Sequence, residues 1–238
     1  MTAEEEAHLE FYRRWHRLAA PYFQWQIEQF GDCFGNRVAD IGCGPGNLTS
    51  QLLDRELYLG IDHDPAMLRE LELEYASRGN IETEEMDAMD PNLSATLRRH
   101  AVDTILCCNL IEHIEADDIV LRQLCNALPR NGVLALLVPA MPSIFGTLDS
   151  LDNHYRRYTP DLVRQRLFEL PVRVERLRYF NMIGALGWWW KGRVLKAPVQ
   201  DDENYRLMNI AIPFVRPLEK LIPPPFGLSL VAIARKTA

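Results

Sequence analysis

The chain has 238 residues, 47% apolar and 25% charged, with a formal net charge of −7 and a pI near 5.4. That length suits one α/β domain, with or without an inserted cap, and the composition is that of a chain with a full core. The acidic balance argues against a nucleic-acid binder working by bulk charge, since no global basic field exists to release counterions. Five cysteines (Cys33, Cys43, Cys107, Cys108, Cys125) show no C-x-x-C pairing, and several lie in apolar runs, so they read as reduced thiols. The segment Met1–Glu10 is acidic and lacks an apolar core, so no signal peptide is expected. No apolar stretch approaches the roughly 20 residues a bilayer span needs. The expectation is a cytoplasmic protein.

From Glu4 to Phe30 the chain reads as one or two aromatic-rich helices, with Pro21 as a break. Short apolar runs then alternate with amphipathic segments. The predicted order is strand Arg37–Ile41, helix Leu48–Leu53, strand Leu57–Ile61 and helix Pro65–Ser77, with Pro65 suited to a first helical turn. Strand Ile81–Glu85, helix Pro91–Arg99, strand Val102–Cys107, helix Ala116–Ala127 and strand Gly132–Val138 follow. Five β-α units in succession predict a doubly wound parallel sheet with right-handed crossovers.

After Pro139 the rhythm changes. Residues Pro139–Tyr158 read as loop, Pro160–Leu170 as helix and Val172–Phe180 as strand. Asn181–Pro225, with Trp188, Trp189 and Trp190 in a row, reads as an insertion before a last strand, Leu228–Arg235. A cap over the carboxyl edge of the sheet is the favoured reading of that insertion. A patch for a membrane surface or a partner is the alternative. The expected division is an N-terminal helical lid (1–36), a Rossmann-like seven-stranded core (37–180), a cap insertion (181–226) and the final strand (227–238).

Chemistry concentrates at the predicted strand ends. Asp40-Ile41-Gly42-Cys43-Gly44-Pro45-Gly46-Asn47-Leu48 places three glycines on alternate positions at a strand-to-helix turn. Glycine is needed where a ligand meets the main chain or φ is positive. The spacing is one residue tighter than the G-x-G-x-x-G of dinucleotide sites, which suits a nucleoside without phosphate. Asp62 ends the second strand and suits ribose hydroxyls, whereas Asp64, directly before Pro65, is the better helix cap. Met86-Asp87-Ala88 follows the third strand, where a carboxylate accepts from an adenine amino group and Met86 packs on the ring. Cys108-Asn109-Leu110-Ile111-Glu112-His113 ends the strongest strand.

Together these segments resemble the class I S-adenosylmethionine (SAM)-dependent methyltransferases, closely over Arg37–Pro139 and loosely beyond. Asn131-Gly132-Val133-Leu134 is similar to that family's turn into its fifth strand. The resemblance implies SAM as cofactor. It places Asp40, Gly42 and Gly44 at the methionine moiety, with Cys43, Gly46, Asn47 and Leu48 completing the turn. Asp62, next to His63, takes the ribose; Met86, Asp87 and Ala88 take the adenine; Asn109 faces the sulfonium side.

Transfer from a sulfonium depends mainly on alignment and water exclusion, and a base is needed only when the acceptor must lose a proton. His113, His154 and Tyr158 are the candidates for that role. In Asp152-Asn153-His154-Tyr155-Arg156-Arg157-Tyr158 two arginines beside a histidine suit a carboxylate or phosphate. Alternatively, one arginine pairs with Asp149, Asp152 or Asp161 and orders the loop. Tyr12, His154, Arg156, Arg157 and Trp188 are the candidate substrate contacts. The expected activity is methyl transfer to a small-molecule or lipid-like acceptor carrying an anionic group. No metal is expected, nucleic acid is not an expected partner, and monomer and homodimer are both open. A SAM-binding regulator or scaffold and a methyltransferase acting on protein are the rival readings. A nicotinamide oxidoreductase is disfavoured by the glycine spacing and by the lack of a Tyr-x-x-x-Lys pair.

Overall fold

The computed structural model describes residues 10, 13–196 and 202–237. Seven strands form one sheet: β1 (Arg37–Ile41), β2 (Leu57–Asp62), β3 (Ile81–Glu85), β4 (Thr104–Cys108), β5 (Val133–Pro139), β6 (Val172–Phe180) and β7 (Ser229–Lys236). Their order is β3-β2-β1-β4-β5-β7-β6. β1 to β5 are parallel, as the five β-α units predict, and β7 runs antiparallel to both β5 and β6, so the seven-stranded sheet as a whole is mixed. The last strand slots between β5 and β6 because the chain re-enters the sheet from its carboxyl edge, after the insertion.

The helices are α1 (Ala20–Glu28), α2 (Pro65–Glu74), α3 (Leu93–Arg99), α4 (Asp117–Ala127), α5 (Thr147–Leu151), α6 (Pro160–Phe168), α7 (Met182–Trp189) and α8 (Asp202–Leu221). Pro21 stands in the first turn of α1, so the chain turns at Ala19 and the proline starts the helix instead of ending one. Asp64 caps α2, its carboxylate accepting from Ala66 N at 2.8 Å. Two predicted elements differ. Thr147–Leu151, inside the expected loop, is helical because Asp149 reaches back to accept from Gly146 N at 2.9 Å. Leu48–Leu53 forms no α-helix; only the 3-10 turn Thr49–Gln51 is present. There Thr49 N, Gln51 N and Leu52 N donate three residues back, to Gly46 O, Leu48 O and Thr49 O, which is 3-10 spacing.

Two apolar layers flank the sheet. Alternate residues of β4 and β5 supply them: Ile105, Cys107, Leu134 and Leu136 to one face, Leu106, Ala135 and Leu137 to the other. The first layer holds Leu97 of α3, Leu124 of α4 and Leu167 of α6. The second holds Trp25 of α1, Leu71 of α2 and Val215 of α8. Phe180, at the end of β6, is fully buried against Trp25 with ring centroids 4.6 Å apart. All five thiols are free.

The insertion is helical in its described residues. α8 packs on α1, and Asn209 Nδ2 donates to Leu18 O at 2.7 Å. Its buried Glu219 accepts from Asn181 N and Met182 N, at 2.9 and 2.7 Å, and so ties down the start of α7. The outer side of α8 exposes Leu207, Ile210, Phe214 and Leu218, and the end of α7 and the turn after it expose Trp189 and Trp190. Among the described residues no helix is long and apolar enough to cross a membrane.

Candidate active site

The pairing register sets Ile41 beside Ile61 and Cys107, and Asp62 beside Glu85. The carboxyl ends of four adjacent strands therefore meet, bringing together Gly42–Gly46 after β1, Asp62 at β2, Met86–Ala88 after β3 and Asn109 after β4. A cleft lined by Asp32, Cys33, Asp103, Arg130, Asn131 and Arg235 opens at the opposite end, by the amino ends of β1, β4 and β5. It contains none of these residues.

Gly42, Gly44 and Gly46 all have positive φ, at 73°, 53° and 87°. Their roles differ. A Cβ at Gly42 would lie 2.9 Å from Leu110 Cδ1, so that glycine permits close packing beneath the turn. A Cβ at Gly44 would meet nothing nearer than Asn47 Nδ2 at 4.0 Å. Gly44 thus opens on free space at the strand end, as a backbone cradle for a ligand requires. The turn runs into a 3-10 segment, and an α-helix N-terminus that would favour a pyrophosphate is not built there. The cradle suits a nucleoside bearing an amino-acid tail, and SAM is such a ligand.

Asp62 Oδ2 accepts from Gly44 N at 2.8 Å and Oδ1 from Asp64 N at 3.0 Å. It braces the glycine turn and keeps further lone pairs free, since a carboxylate offers about four acceptor sites. His63 points outward, its Nδ1 3.3 Å from Asp62 Oδ1. Asp87 is exposed at the end of β3, and its Oδ1 accepts from Met89 N at 2.7 Å; Met86 and Ala88 are half-buried beside it. Asn109 is exposed with φ of 51°, a left-handed turn its short polar side chain tolerates.

Three predicted cofactor residues face away from the cradle. Asp40 is 2% exposed and accepts from the Tyr58 hydroxyl at 2.8 Å. Burial pushes its pKa up to about 7 against the lowering effect of that bond. Cys43 and Leu48 are buried in the core layer, so only their main chain belongs to the turn. Sequence reasoning missed His16, whose Nδ1 lies 2.9 Å from Asn47 Oδ1. Arg13 also forms a bidentate pair with Glu70, at 2.5 and 2.6 Å. These contacts draw helical residues 13–18 against the glycine loop. Tyr12 lies outside the described residues.

On the other side of Asn109 the turn Ile111–His113 faces the 146–157 segment. The His113 and His154 rings meet edge to face, with centroids 4.7 Å apart. Burial and the charge of His154 hold the His113 pKa down to about 4. His154 Nδ1 lies 3.0 Å from Asp149 Oδ1, which leaves Nε2 turned from that carboxylate. Glu112 is fully buried, and neither of its carboxylate oxygens has a hydrogen-bond partner among the described residues. Burial raises its pKa to about 7, chiefly against the lowering charge of His154.

Asp149, one of the three acids the sequence offered as an arginine partner, is the hub of this region. It is fully buried and receives Arg157 Nε at 2.6 Å, Trp188 Nε1 at 3.0 Å and Gly146 N at 2.9 Å. Burial alone would raise its pKa, but His154, Arg157, Trp188 and Gly146 together bring it below the ordinary value. Arg157 is 3% exposed, donates also to Ala140 O at 2.8 Å, and stacks over the Trp188 ring at 5.0 Å. Arg156 donates to Ile114 O and Glu115 O at 2.9 and 2.7 Å and pairs with Asp117 at 3.1 Å. Both arginines thus order the segment, the second of the two roles open to them. Tyr158 is 1% exposed, and its hydroxyl donates to Asp117 Oδ2 at 2.8 Å. Burial raises its pKa, so this hydroxyl braces the core and is a poor base.

A family model described as a methyltransferase domain matches residues 39–134. Over 105 residues the chain is 31% identical to trans-aconitate 2-methyltransferase of Enterobacter sp. (strain 638), covering 43% of this chain and 38% of that one. It is 27% identical over 119 residues to ubiquinone biosynthesis O-methyltransferase of Aeromonas salmonicida (strain A449), covering 49% of each. The chain thus spans less than half the length of these curated relatives. Among solved structures, a SAM-dependent methyltransferase from Archaeoglobus fulgidus superposes with a TM-score of 0.59, at 19% identity, over 93% of this chain and 94% of that one. Magnesium protoporphyrin IX methyltransferase of Synechocystis PCC 6803, with bound S-adenosylhomocysteine, gives 0.56 at 16% identity, over 93% and 83%. These likenesses share the fold. With that fold, the matched methyltransferase domain over residues 39–134 and the strand-end cradle, the chain is similar to the class I SAM-dependent methyltransferases.

Proposed function

We propose that this chain transfers the methyl group of SAM to a small-molecule acceptor by in-line displacement. The observation that carries the reading is the convergence of open Gly44, Asp62, Asp87 and Asn109 at the carboxyl ends of four adjacent strands. SAM supplies an electrophilic methyl on a positively charged sulfur. The protein's part is then alignment and exclusion of water, and positioning two reactants supplies roughly 7–11 kcal/mol of a barrier. Asp62 would hold the ribose, Asp87 and Met86 the adenine, and His16 with its helix would close over Asn47.

The relatives named for trans-aconitate and for ubiquinone biosynthesis support a small acceptor. The exposed apolar side chains of α7 and α8 support the lipid-like end of that class. Arg156 and Arg157 lend no support to the expected anionic group, because both guanidiniums are paired with Asp149, Asp117 and backbone carbonyls. On the acceptor side, Asp149 orients His154 so that Nε2 is the atom presented.

Calorimetry with SAM, followed by measurement of S-adenosylhomocysteine release with a panel of hydroxylated and carboxylated acceptors, tests this reading. Saturable SAM binding and acceptor-dependent release are expected. Binding without release across the panel would favour a SAM-binding regulator, and no binding would exclude both.

A further inference from the structure

We propose that Glu112, His113 and His154 form a site for a divalent first-row transition cation, held by one carboxylate oxygen and two imidazole nitrogens. One candidate ligand atom from each residue lies within 4.8 Å of the others. Bonds of about 2.0–2.2 Å set ligand atoms roughly 3–3.5 Å apart. The cluster is somewhat wider than that, and His113, the exposed member of the three, is the one that would close in on a bound ion.

Three features make the cluster a built site. Glu112 is fully buried, yet both of its carboxylate oxygens lack a partner among the described residues. An acceptor pair taken from water and left unbonded is unfavourable unless something occupies it. Arg157, the buried cation of the same region, is turned to Asp149 and to Ala140 O. His154 meets the Asp149 carboxylate through Nδ1, leaving Nε2 to coordinate. A carboxylate behind a histidine is the usual outer support of a metal-binding imidazole, and it fixes the tautomer and raises basicity. Here that carboxylate is held in turn by Arg157, Trp188 and Gly146 N.

The donor set decides the class of ion. Two imidazoles and one carboxylate suit Mn2+, Fe2+, Co2+, Ni2+ or Zn2+, whereas Ca2+ and Mg2+ favour oxygen ligands throughout. Three protein ligands leave positions open. Glu112 follows Asn109 by three residues on the same strand-end turn. Resting on the methyl-transfer reading, those positions would take an oxygen of the acceptor.

The test uses the full chain, stripped with EDTA and dialysed. Co2+ is titrated while its visible absorption is followed, and Zn2+ is added as competitor. One Co2+ per chain, displaced by Zn2+, is expected. Glu112→Gln and His154→Asn should each weaken binding at least tenfold, with SAM affinity retained in Glu112→Gln. His113→Asn, at an exposed ring, should show the same loss of metal affinity even where a buried substitution disturbs folding. Absence of saturable Co2+ binding, or unchanged affinity in both Glu112→Gln and His113→Asn, overturns the site. Metal binding is read without SAM, so failure of SAM to bind removes the methyl-transfer reading and leaves the metal site standing.

Discussion

Trp188 Nε1 donates to Asp149 Oδ2 at 3.0 Å, joining the insertion helix α7 to the 146–157 segment across 39 residues of sequence. The indole faces inward, while its neighbours Trp189 and Trp190 are exposed. Trp188→Phe keeps the apolar packing and removes one of the four donors on Asp149. A loss of about 1 kcal/mol in urea denaturation is expected. Arg157→Met leaves Asp149 buried with its charge uncompensated and should cost about 3–5 kcal/mol. Equal effects of the two substitutions would show that Asp149 is not the hub the distances describe.

Tyr158→Phe separates a structural from a catalytic role. The hydroxyl is buried and bonded to Asp117, so its removal should lower stability by roughly 1 kcal/mol. Turnover per folded molecule should be unchanged. A large fall in kcat with an unchanged melting temperature would restore Tyr158 to the reaction.

The Asp40 contribution to stability should fall as pH rises from 4 toward 7, while His113, whose pKa is lowered to about 4, contributes in the opposite sense. Burial raises the Asp40 pKa from 3.8 to about 7, so the folded state holds a proton that the unfolded state releases. By linkage, the Asp40 contribution is highest below the unfolded value and declines until the folded value is passed. The loss is about 1.4 kcal/mol for each tenfold difference in proton affinity between the two states. The pKa of Glu112 is raised in the same direction, also to about 7. Asp40→Asn can still accept from Tyr58 and should flatten the slope. Parallel profiles of urea midpoint against pH for wild type and variant would refute the assignment.

Gly44→Ala and Gly42→Ala should part company. Both residues have positive φ, which costs an L-residue roughly 1–2 kcal/mol. At Gly42 the new methyl also meets Leu110, so stability should suffer more there. At Gly44 it enters open space, and SAM affinity should suffer more than stability. Calorimetry and thermal melts on the two variants together check the order.

His16→Ala should weaken SAM binding by the equivalent of about 0.5–1.5 kcal/mol, through loss of its bond to Asn47. The melting temperature should barely change, because the ring is half-buried at the edge of the fold. Unaltered SAM affinity would mean that residues 13–18 pack on the loop without closing the site.

The gathering of the candidate cofactor residues at the strand ends was legible in the residues themselves. Strand periodicity, the glycine turn, and acids at successive strand ends are local signals, each written within a few neighbouring positions. Asp64 as helix cap and Asp62 as the strand-end acid were separable because proline dictates which acid caps. The mixed sheet was not legible, since strand direction in β7 depends on where the insertion returns the chain. Nor was the 3-10 turn that stands in place of an α-helix at Leu48–Leu53.

The sequence by itself determined the α/β core, the strand-end cradle and its fit to SAM, because backbone conformation and residue spacing encode them locally. Only the tertiary structure decided which side of each polar residue faces the site. Asp40 and Tyr158 turn into the core, Arg157 is spent on Asp149, and Glu112 is left with both oxygens unbonded beside two histidines. Partners distant in sequence compete for each buried charge, and that competition is settled by packing, which no local pattern records.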